Sequence, residues 1–196
     1  MVQIMNVYDF DKTIFNPDSS GKFIMYCIKK KPYVIYRMPM VAVYFVKYKL
    51  GLCEKDAMKE KIFSIIRHFQ PLDKYVKDFW SKNMDGFSKY YLAQKKPDDV
   101  IISASPSFLL RDICKELGIG TLIASEADEK TGKWLRKNCY GAEKVVRYRE
   151  VFGDAKIDEF YSDSLSDSPL AEIAEKAFVV DHETLTPWPE SALNRK

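Results

Sequence analysis

VQIMNVYDFDKT, residues 2–13, joins a short apolar segment to two acidic residues. Residues 2–8 are β-prone and give way at once to Asp9 and Asp11, which is typical of a buried strand ending in a polar loop. Side chains in an extended segment repeat every second residue, so the two carboxylates are expected to point the same way. They would repel each other unless a cation lies near, and Mg²⁺ prefers such oxygen ligands. The alternative is a solvated acidic turn.

Four further β-prone runs follow along the chain, and helical patterns separate them. The predicted strands are Val100–Ile102, Thr121–Ala124, Phe160–Tyr161 and Phe178–Val180. The predicted helices cover FLLRDICKEL, with Ser105 as N-cap, Pro106 in the first position and Gly118 past the end, then Ala142–Tyr148 and Pro169–Lys176. Alternating strands and helices predict an α/β fold with a mainly parallel sheet, whose ligands bind at the carboxyl ends of the strands.

Residues 16–98 interrupt this alternation. They contain no clean strand pattern but several helical ones, at Gly21–Lys31, Glu54–Phe69 and Leu72–Leu92. We therefore predict a helical cap at 16–98, inserted into a core formed by 1–15 and 99–196, with boundaries at the Asn16-Pro17 and Pro97-Asp98 turns. The cap carries 17 Lys and Arg against 8 Asp and Glu, although the whole chain has a net charge of only +3. The total charge gives no indication of nucleic-acid binding, whereas the asymmetry suggests two parts that face different partners.

The segment Tyr33–Leu52 is rich in aromatic and β-branched residues. Its longest run without a charge is Met38–Val46, nine residues, whereas a membrane-spanning helix needs about 18 or more. Two interpretations remain open. One is a buried cap helix kinked at Pro39. The other is a helix at a membrane surface, with Arg37, Lys47 and Lys49 reaching lipid headgroups.

The cysteines and the N-terminal sequence give an expectation about the cellular location of the protein. The chain has four cysteines in no zinc-binding or C-x-x-C spacing, at Cys27, Cys53, Cys114 and Cys139. The first residues lack the basic region of a signal peptide. We expect free thiols and a reducing, cytoplasmic location, with peripheral membrane contact through the cap as the open alternative.

Three further motifs carry polar groups at predicted strand ends or helix starts. Ser103 ends the second strand before a helix N-terminus, where it would donate to an anion or serve only as a cap. Lys144 lies near a helix start, a position that favours an anionic partner, although a lone lysine is more typical of a solvated face. Asp163 and Asp167 follow the fourth strand in YSDSLSD, where an Asx-rich turn is the alternative.

Taken together, these residues indicate a function more specifically than any one of them does alone. The strand ends meet if the first, second and fourth strands are neighbours in the sheet. A carboxylate that attacks a dianionic phosphate needs Mg²⁺ and a lysine to cancel the repulsion. The set therefore favours phosphoryl transfer.

The order DFDKT, SAS, Lys144 and SDSLSD resembles the haloacid dehalogenase (HAD) superfamily of phosphohydrolases. A helical insertion directly after the first motif is similar to subclass IB, the phosphoserine-phosphatase-like group with a C1 cap. DFDKT, NCYGAEK and SASPS look most like the bacterial branch that includes phosphatidylglycerophosphatase C. The resemblance implies a three-layer, Rossmann-like core. It also implies that Asp9 is the nucleophile and Asp11 the general acid and base.

The resemblance further implies that Ser103 and Lys144 bind the phosphoryl oxygens. Mg²⁺ would be held by the Asp9 carboxylate, the Asp11 main-chain carbonyl and Asp163, with Asp167 acting through water or by orienting Lys144. Two features depart from the family pattern. Ser162 stands where Gly is usual, and no Glu occurs between Ile14 and Cys27 to grip a phosphoserine amine, a role that would fall to Asp18.

The expected activity is Mg²⁺-dependent hydrolysis of a phosphate monoester, either a small molecule or a lipid-like one that suits the basic, aromatic cap. The alternatives are a phosphotransferase or phosphomutase of the same superfamily, a signalling receiver domain, and a membrane-surface binding protein that uses the cap alone. A receiver domain is disfavoured because it lacks an insertion of this size and places its acceptor Asp at a later strand. The oligomeric state is left open.

Overall fold

The structure, a computed structural model, describes residues 5–193. Its six strands are β1 (Asn6–Tyr8), β2 (Val100–Pro106), β3 (Thr121–Ser125), β4 (Ile157–Ser162), β5 (Ala174–Asp181) and β6 (Thr184–Pro187). Its eight α-helices within that range are α1 (Ser19–Lys30), α2 (Met38–Lys49), α3 (Lys55–Phe63), α4 (Leu72–Trp80), α5 (Lys89–Gln94), α6 (Ser107–Glu116), α7 (Ala142–Phe152) and α8 (Ser168–Ala171). Residues 2–4 of the first predicted strand lie outside the described part.

The strands form one sheet in the order β3-β2-β1-β4-β5-β6. The first five are parallel, and only β6 runs antiparallel, against β5. Tyr8 of β1 is in register with Ile101 of β2 and with Tyr161 of β4. This confirms the predicted α/β fold with a mainly parallel sheet. The loop after β1 therefore lies between the carboxyl ends of β2 and β4.

Successive residues of β1 face opposite sides of the sheet, as expected for a strand. Val7 packs into a cluster with Phe160 of β4 and Tyr148 of α7. Tyr8 packs into the other cluster, with Leu109 of α6 and with residues of α1 and α4. Helices thus cover both faces, and the predominantly apolar central strands are buried on both sides.

Between β1 and β2 the described chain contributes no strand to the sheet, only helices α1–α5 and short 3₁₀ turns. Its aromatic side chains join the cluster that contains Tyr8, for example Phe23 of α1 and Phe79 of α4. The division into a core and a cap at 16–98 remains a prediction, because the insertion shares this cluster with the sheet.

The prediction that α6 begins with Ser105 as its N-cap was wrong. Strand β2 continues through Pro106, and α6 begins at Ser107 with Pro106 as the preceding extended residue. The sequence S-P fits an N-cap and a first helical residue, but here the Ser105 hydroxyl has other partners, described below. Gly118 does follow the helix, with a φ of +76° that favours glycine.

The prediction of a helix over Pro169–Lys176 was also too long. Helix α8 ends at Ala171, and Ala174 already belongs to β5. In the first part of β5, Ala174 and Ala177 are buried, and Glu175 and Lys176 between them are exposed. Pairing with β4 therefore overrides the helical propensity of the AEIAEK segment.

The first interpretation of Tyr33–Leu52, a buried helix kinked at Pro39, was wrong. Pro32–Arg37 form a 3₁₀ turn, and Pro39 lies in the first turn of α2, where proline causes no kink. None of the twelve residues of α2, all within the described part, is buried. In residues 5–193 no helix combines the length and the apolar character that a membrane span requires.

Glu183, in the turn between β5 and β6, contacts residues near the beginning and near the end of the helical insertion. Its carboxylate accepts hydrogen bonds from the main-chain N–H groups of Lys89 and Tyr90, at 3.1 and 3.0 Å, in the first turn of α5. The same side chain lies 3.5 Å from Nδ2 of Asn16. A carboxylate at a helix N-terminus satisfies N–H groups that have no partner within the helix.

Candidate active site

The loop after β1 places two carboxylates on the cavity side and one aromatic ring in the core. The main-chain N–H of Asp9 donates to the carbonyl of Tyr161 at 2.8 Å, so pairing with β4 extends one residue beyond the strand. Phe10, between the acids, is fully buried and contacts the rings of Phe15 and Trp80. Lys12 has a φ of +56°, in the left-handed region, which turns the chain away from the sheet. Asp9 and Asp11 therefore face the cavity and Phe10 faces the core, which is the predicted alternation of side chains.

Both carboxylate oxygens of Asp11 accept hydrogen bonds. Oδ1 accepts from the main-chain N–H of Ser19, the first residue of α1, at 2.7 Å. Oδ2 accepts from the hydroxyl of Ser105, whose Oγ also lies 2.8 Å from Oγ of Ser20. Burial raises the pKa of Asp11, and the bonds from Ser105 and Ser19 oppose that rise. The Asp11 carboxylate is thus held in one orientation, and its main-chain carbonyl remains as the group for a metal.

Lys144, in the first turn of α7, reaches into the interior between two carboxylates. Its Nζ lies 2.7 Å from Oδ1 of Asp9 and 2.6 Å from Oδ2 of Asp167. The lysine side chain is buried, as is Asp167. Burial opposes the charge on Lys144, but Asp9 and Asp167 outweigh it and raise the lysine's pKa above its usual value. Lys144 therefore has the anionic partners that its position at a helix start indicated.

Burial also raises the pKa of Asp9, to about 7, although the Lys144 ammonium acts in the opposite direction. One lysine cannot neutralise two carboxylates, so the ionised group of Asp9, Asp167 and Lys144 carries a net negative charge. Asp163 lies on the same cavity, and burial raises its pKa too. This excess of carboxylate charge fits a divalent cation.

The loop after β4 joins the same site. The main-chain N–H of Asp163 donates to Oγ1 of Thr13 at 3.0 Å, which links this loop to the loop after β1. Ser162, buried, donates its hydroxyl to Oδ2 of Asp167 at 2.8 Å. Oδ1 of Asp167 is buried and has no hydrogen-bond partner among the described residues. A buried carboxylate oxygen without a donor points to a missing water or ligand group.

Ser103 lies at the carboxyl end of β2 and is buried at the cavity. Its Oγ accepts a hydrogen bond from the main-chain N–H of Ser105 at 3.1 Å. The hydroxyl proton of Ser103 is thereby left for an acceptor in the cavity. This geometry suits an anion such as a phosphoryl group.

All six residues predicted for the site line one cavity of about 250 Å³ at the carboxyl edge of the sheet, namely Asp9, Asp11, Ser103, Lys144, Asp163 and Asp167. The structure thus brings together residues that are up to 158 positions apart in the chain. Their individual roles are taken up below as part of the proposal.

The same cavity has lining residues that sequence reasoning missed. Ser105 was interpreted as a helix cap, although it is two positions from Ser103 in the same strand, a spacing that puts both on one side. Lys59 of α3 also lines the cavity, and its Nζ lies 3.1 Å from the carbonyl of Ala104 and 3.2 Å from Oδ1 of Asn138. Nothing distinguished this lysine from the others of the basic insertion. Lys12, Asp18 and Tyr140 also line the cavity.

The donors fit the metal set implied by the resemblance. In the part of the chain that the structure describes, no three Asp, Glu, His or Cys side chains form a metal site by themselves. The implied set does not need three, because it joins the carboxylates of Asp9 and Asp163 to the main-chain carbonyl of Asp11. Oδ1 of Asp9 accepts a hydrogen bond from Lys144 and has a second lone pair that a metal could share, which leaves Oδ2 for substrate.

Comparison with known proteins gives one family and several structural neighbours. Residues 7–172 match the profile of the family described as haloacid dehalogenase-like hydrolase. Protein CicA of Caulobacter vibrioides is 35% identical over 83 residues, which cover 39% of this chain and 37% of CicA. That match therefore spans little more than a third of the curated relative.

Two solved structures share the fold across most of the chain. A protein of unknown function from Bordetella pertussis Tohama I has a TM-score of 0.74 and 19% identity, covering 90% of this chain and 89% of its own. A phosphoserine phosphohydrolase-like protein from Francisella tularensis subsp. tularensis SCHU S4 has a TM-score of 0.58 and 15% identity, with 89% and 86% covered. At 19% and 15% sequence identity, the similarity to these two structures shows a shared fold and nothing more.

Proposed function

The chain belongs to the haloacid dehalogenase-like hydrolase family, and we propose that it hydrolyses phosphate monoesters with Mg²⁺ through an aspartyl-phosphate intermediate. The observation that carries this proposal is the Lys144 ammonium held between Asp9 and Asp167 at a cavity of about 250 Å³. It immobilises Oδ1 of Asp9 and leaves Oδ2 as the attacking oxygen. Such a fixed nucleophile, with a cation beside it, suits attack on an anionic phosphorus centre.

In the first step, Oδ2 of Asp9 forms a bond to phosphorus as the bond from phosphorus to the leaving alcohol oxygen breaks. The Asp11 carboxyl gives its proton to that oxygen. The raised pKa of Asp11 favours the protonated form that a general acid needs. Its hydrogen bonds from Ser19 and Ser105 orient the carboxyl group.

In the second step, Asp11 accepts a proton from a water molecule, and the water oxygen attacks phosphorus. The bond between Asp9 and phosphorus breaks, which releases inorganic phosphate and restores both carboxyl groups. Ser103 and Lys144 bind the phosphoryl oxygens in both steps, the serine through its hydroxyl and the lysine through its ammonium.

Mg²⁺ would be held by the Asp9 carboxylate, the main-chain carbonyl of Asp11 and Asp163, with Asp167 acting through a bound water or by orienting Lys144. When bound, the ion supplies positive charge that offsets the repulsion between carboxylate and phosphate. The buried oxygen of Asp167 without a donor, and the excess of carboxylate charge, both support a cation here.

For the substrate we propose a small or lipid-like phosphate monoester. The Francisella neighbour is named as phosphoserine phosphohydrolase-like, but this chain offers no obvious group for the serine amine. Asp18 lines the cavity, yet its Oδ1 accepts from the main-chain N–H of Gly21 at 2.8 Å and caps α1. The lining lysines, Lys12 and Lys59, instead favour a substrate with anionic character beyond the phosphate.

The experiment is a phosphate-release assay with p-nitrophenyl phosphate. Activity should vanish in EDTA and return with MgCl₂. Asp9→Asn should lower kcat by roughly 10³-fold or more while circular dichroism shows that the fold is retained, whereas the matched control Asp181→Asn, on an exposed residue at the end of β5, should keep full activity. A wild-type rate for Asp9→Asn would exclude the proposed nucleophile.

A phosphotransferase or phosphomutase of the same superfamily is separated by its products. Such an enzyme moves the phosphoryl group to an acceptor and releases little free phosphate, so product analysis decides. A panel of phosphorylated metabolites and lysophospholipids, each assayed with and without Mg²⁺, would then identify the substrate class.

A further inference from the structure

Helix α2 and the 3₁₀ turn before it present an apolar surface to solvent. Between residues 33 and 50, seven large side chains are about half exposed or more, at Tyr33, Ile35, Tyr36, Val43, Phe45, Val46 and Leu50. We call this set the α2 face. Single exposed apolar residues are ordinary, but a contiguous group marks an interaction surface. Since α2 has no buried residue, its apolar side chains do not serve the interior of the described chain.

The chain around the α2 face is uniformly basic. Residues 19–53 contain seven Lys and Arg and no Asp or Glu. Within the described residues, Arg37, Lys47 and Lys49 form no ion pair with an acidic side chain. Lys47 and Lys49 lie instead over the rings of Tyr44 and Phe45, at 5.4 and 5.7 Å from the ring centres. Positive charges therefore flank the apolar side chains on the helix itself.

Arg37 adds a second and independent observation. It lies where the 3₁₀ turn meets α2, and its Nε and Nη1 are shielded from solvent without a hydrogen-bond partner in the described chain. Its guanidinium carbon lies 5.5 Å from the ring centre of Tyr36, which belongs to the α2 face. The Arg37 charge therefore has no hydrogen-bonded partner at these atoms and adds to the positive charge beside the α2 face.

We propose that the α2 face docks on the surface of an anionic phospholipid membrane. The exposed aromatic and aliphatic side chains would enter the boundary between headgroups and acyl chains, and Lys47 and Lys49 would contact lipid phosphates. Exposed apolar residues flanked by lysine and arginine are the composition of helices that lie in this boundary. The proposal stands independently of the proposed function.

Other occupants fit less well. A symmetric dimer through the α2 face would place the same patch of each copy against itself. The unpaired charges of Arg37, Lys47 and Lys49 would then face their own equivalents with no acidic residue to offset them. Insertion across a bilayer is excluded for α2 itself, because its twelve residues are too few to cross the hydrocarbon layer.

Docking would bring the cavity close to the lipid surface. Helix α2 packs against α3, and Nζ of Lys61 on α3 lies 5.0 Å from the ring centre of Tyr44 on α2. Helix α3 also carries Lys59, which lines the cavity. The surface that would meet the membrane and one wall of the cavity therefore belong to one pair of helices.

The test is sedimentation of the full chain with vesicles of phosphatidylcholine, with and without phosphatidylglycerol. We expect binding only to vesicles that contain phosphatidylglycerol, weakened by added salt. Failure to bind these vesicles, or equal binding to phosphatidylcholine alone, would overturn the proposal. Circular dichroism and thermal midpoints check the fold of every variant without reference to catalysis.

Two pairs of variants test the two components. Phe45→Ser with Val46→Ser should abolish most binding, whereas Leu135→Ser with Val151→Ser, at similarly exposed apolar positions elsewhere, should leave it unchanged. Lys47→Gln with Lys49→Gln should weaken binding by roughly fivefold per charge.

The matched control for the lysine pair is Lys137→Gln with Lys156→Gln, on exposed lysines away from α2, and it should change binding little. Equal loss in either control pair would contradict the assignment to the α2 face. Gel filtration tests the remaining alternative, a dimer formed through the α2 face. A dimer that Phe45→Ser with Val46→Ser converts to monomer, with vesicle binding retained, would replace the membrane by a second copy of the chain.

Discussion

Nζ of Lys144 lies 2.6 Å from Oδ2 of Asp167, and both side chains are shielded from solvent. The same ammonium lies 2.7 Å from Oδ1 of Asp9. Buried charges are costly to desolvate, and an ion pair offsets that cost only while all its members are present. The lysine thus has a structural role that is inseparable from its place beside the proposed nucleophile.

Lys144→Met should lower the free energy of unfolding by about 3–5 kcal/mol, because it leaves the carboxylates of Asp9 and Asp167 buried without a cation. Urea unfolding monitored by circular dichroism measures this. Adding Asp167→Asn should restore part of the stability, since it removes one uncompensated charge. Strict additivity of the two substitutions would show that the residues are not coupled.

Ser105→Ala should act through Asp11, because it removes the donor to Oδ2 of that carboxylate. We expect kcat to fall by roughly tenfold to a hundredfold, with a smaller change in KM. Since the Ser105 bond lowers the pKa of Asp11, its loss should move the limb of the pH–rate profile that reports Asp11 to higher pH. The control is Ser107→Ala, in the first turn of α6, which should leave both quantities unchanged. A loss of stability with an unchanged pH profile would show that Ser105 is only a structural residue.

Asp163→Asn should weaken metal binding, since one of the two proposed carboxylate ligands becomes neutral. The Mg²⁺ concentration for half-maximal activity should rise by about tenfold or more. Titration of activity with MgCl₂ measures it, with Asp181→Asn as the control outside the site. The hydrogen bond from the Asp163 main chain to Thr13 does not involve the substituted atoms, so the thermal midpoint of the metal-free protein should be retained. An unchanged Mg²⁺ requirement would remove Asp163 from the ligand set.

Asp99, just before β2, offers a test of stability against pH. Its side chain is buried, and burial raises its pKa to about 6, although the main-chain N–H of Lys96 donates to it. A folded-state pKa above the unfolded value means that the folded protein binds the proton more tightly, so stability is lost as pH rises from about 4 to about 6. Asp99→Asn should therefore stabilise the protein at pH 7 by roughly 1–3 kcal/mol relative to its effect at pH 4.

Chemical denaturation at the two pH values measures this difference. The adjacent Asp98→Asn, at an exposed position, should show no such pH dependence. An equal effect of Asp99→Asn at both pH values would mean that the carboxyl group of Asp99 is already solvated in the folded protein.

The parts predicted correctly from sequence are those where a local pattern and the chemistry agree. Asp9 and Asp11 follow a short apolar strand, and their alternation around Phe10 is a property of extended backbone. Lys144 alone is more typical of a solvated face, and it could be assigned to the site only together with the other motifs and the family resemblance. The sequence left open whether the first, second and fourth strands are neighbours, and the structure shows that they are.

The remaining features depend on contacts between distant residues. Ser105 has a local pattern that fits a helix cap, but the sheet extends β2 past it, so its hydroxyl faces Asp11. Lys59 acquires its position only through the packing of α3 over the end of the sheet. The AEIAEK segment has helical propensity, yet β4 recruits its second half into β5. Composition alone did not settle whether α2 is buried or exposed, because apolar residues suit either environment.

Asn16 and the start of α5, near the two ends of the helical insertion, contact the same side chain. Because Glu183 binds the start of α5 and lies against Asn16, both are anchored to the far end of the sheet by one carboxylate. A hinge motion of the whole insertion would therefore have to break these contacts.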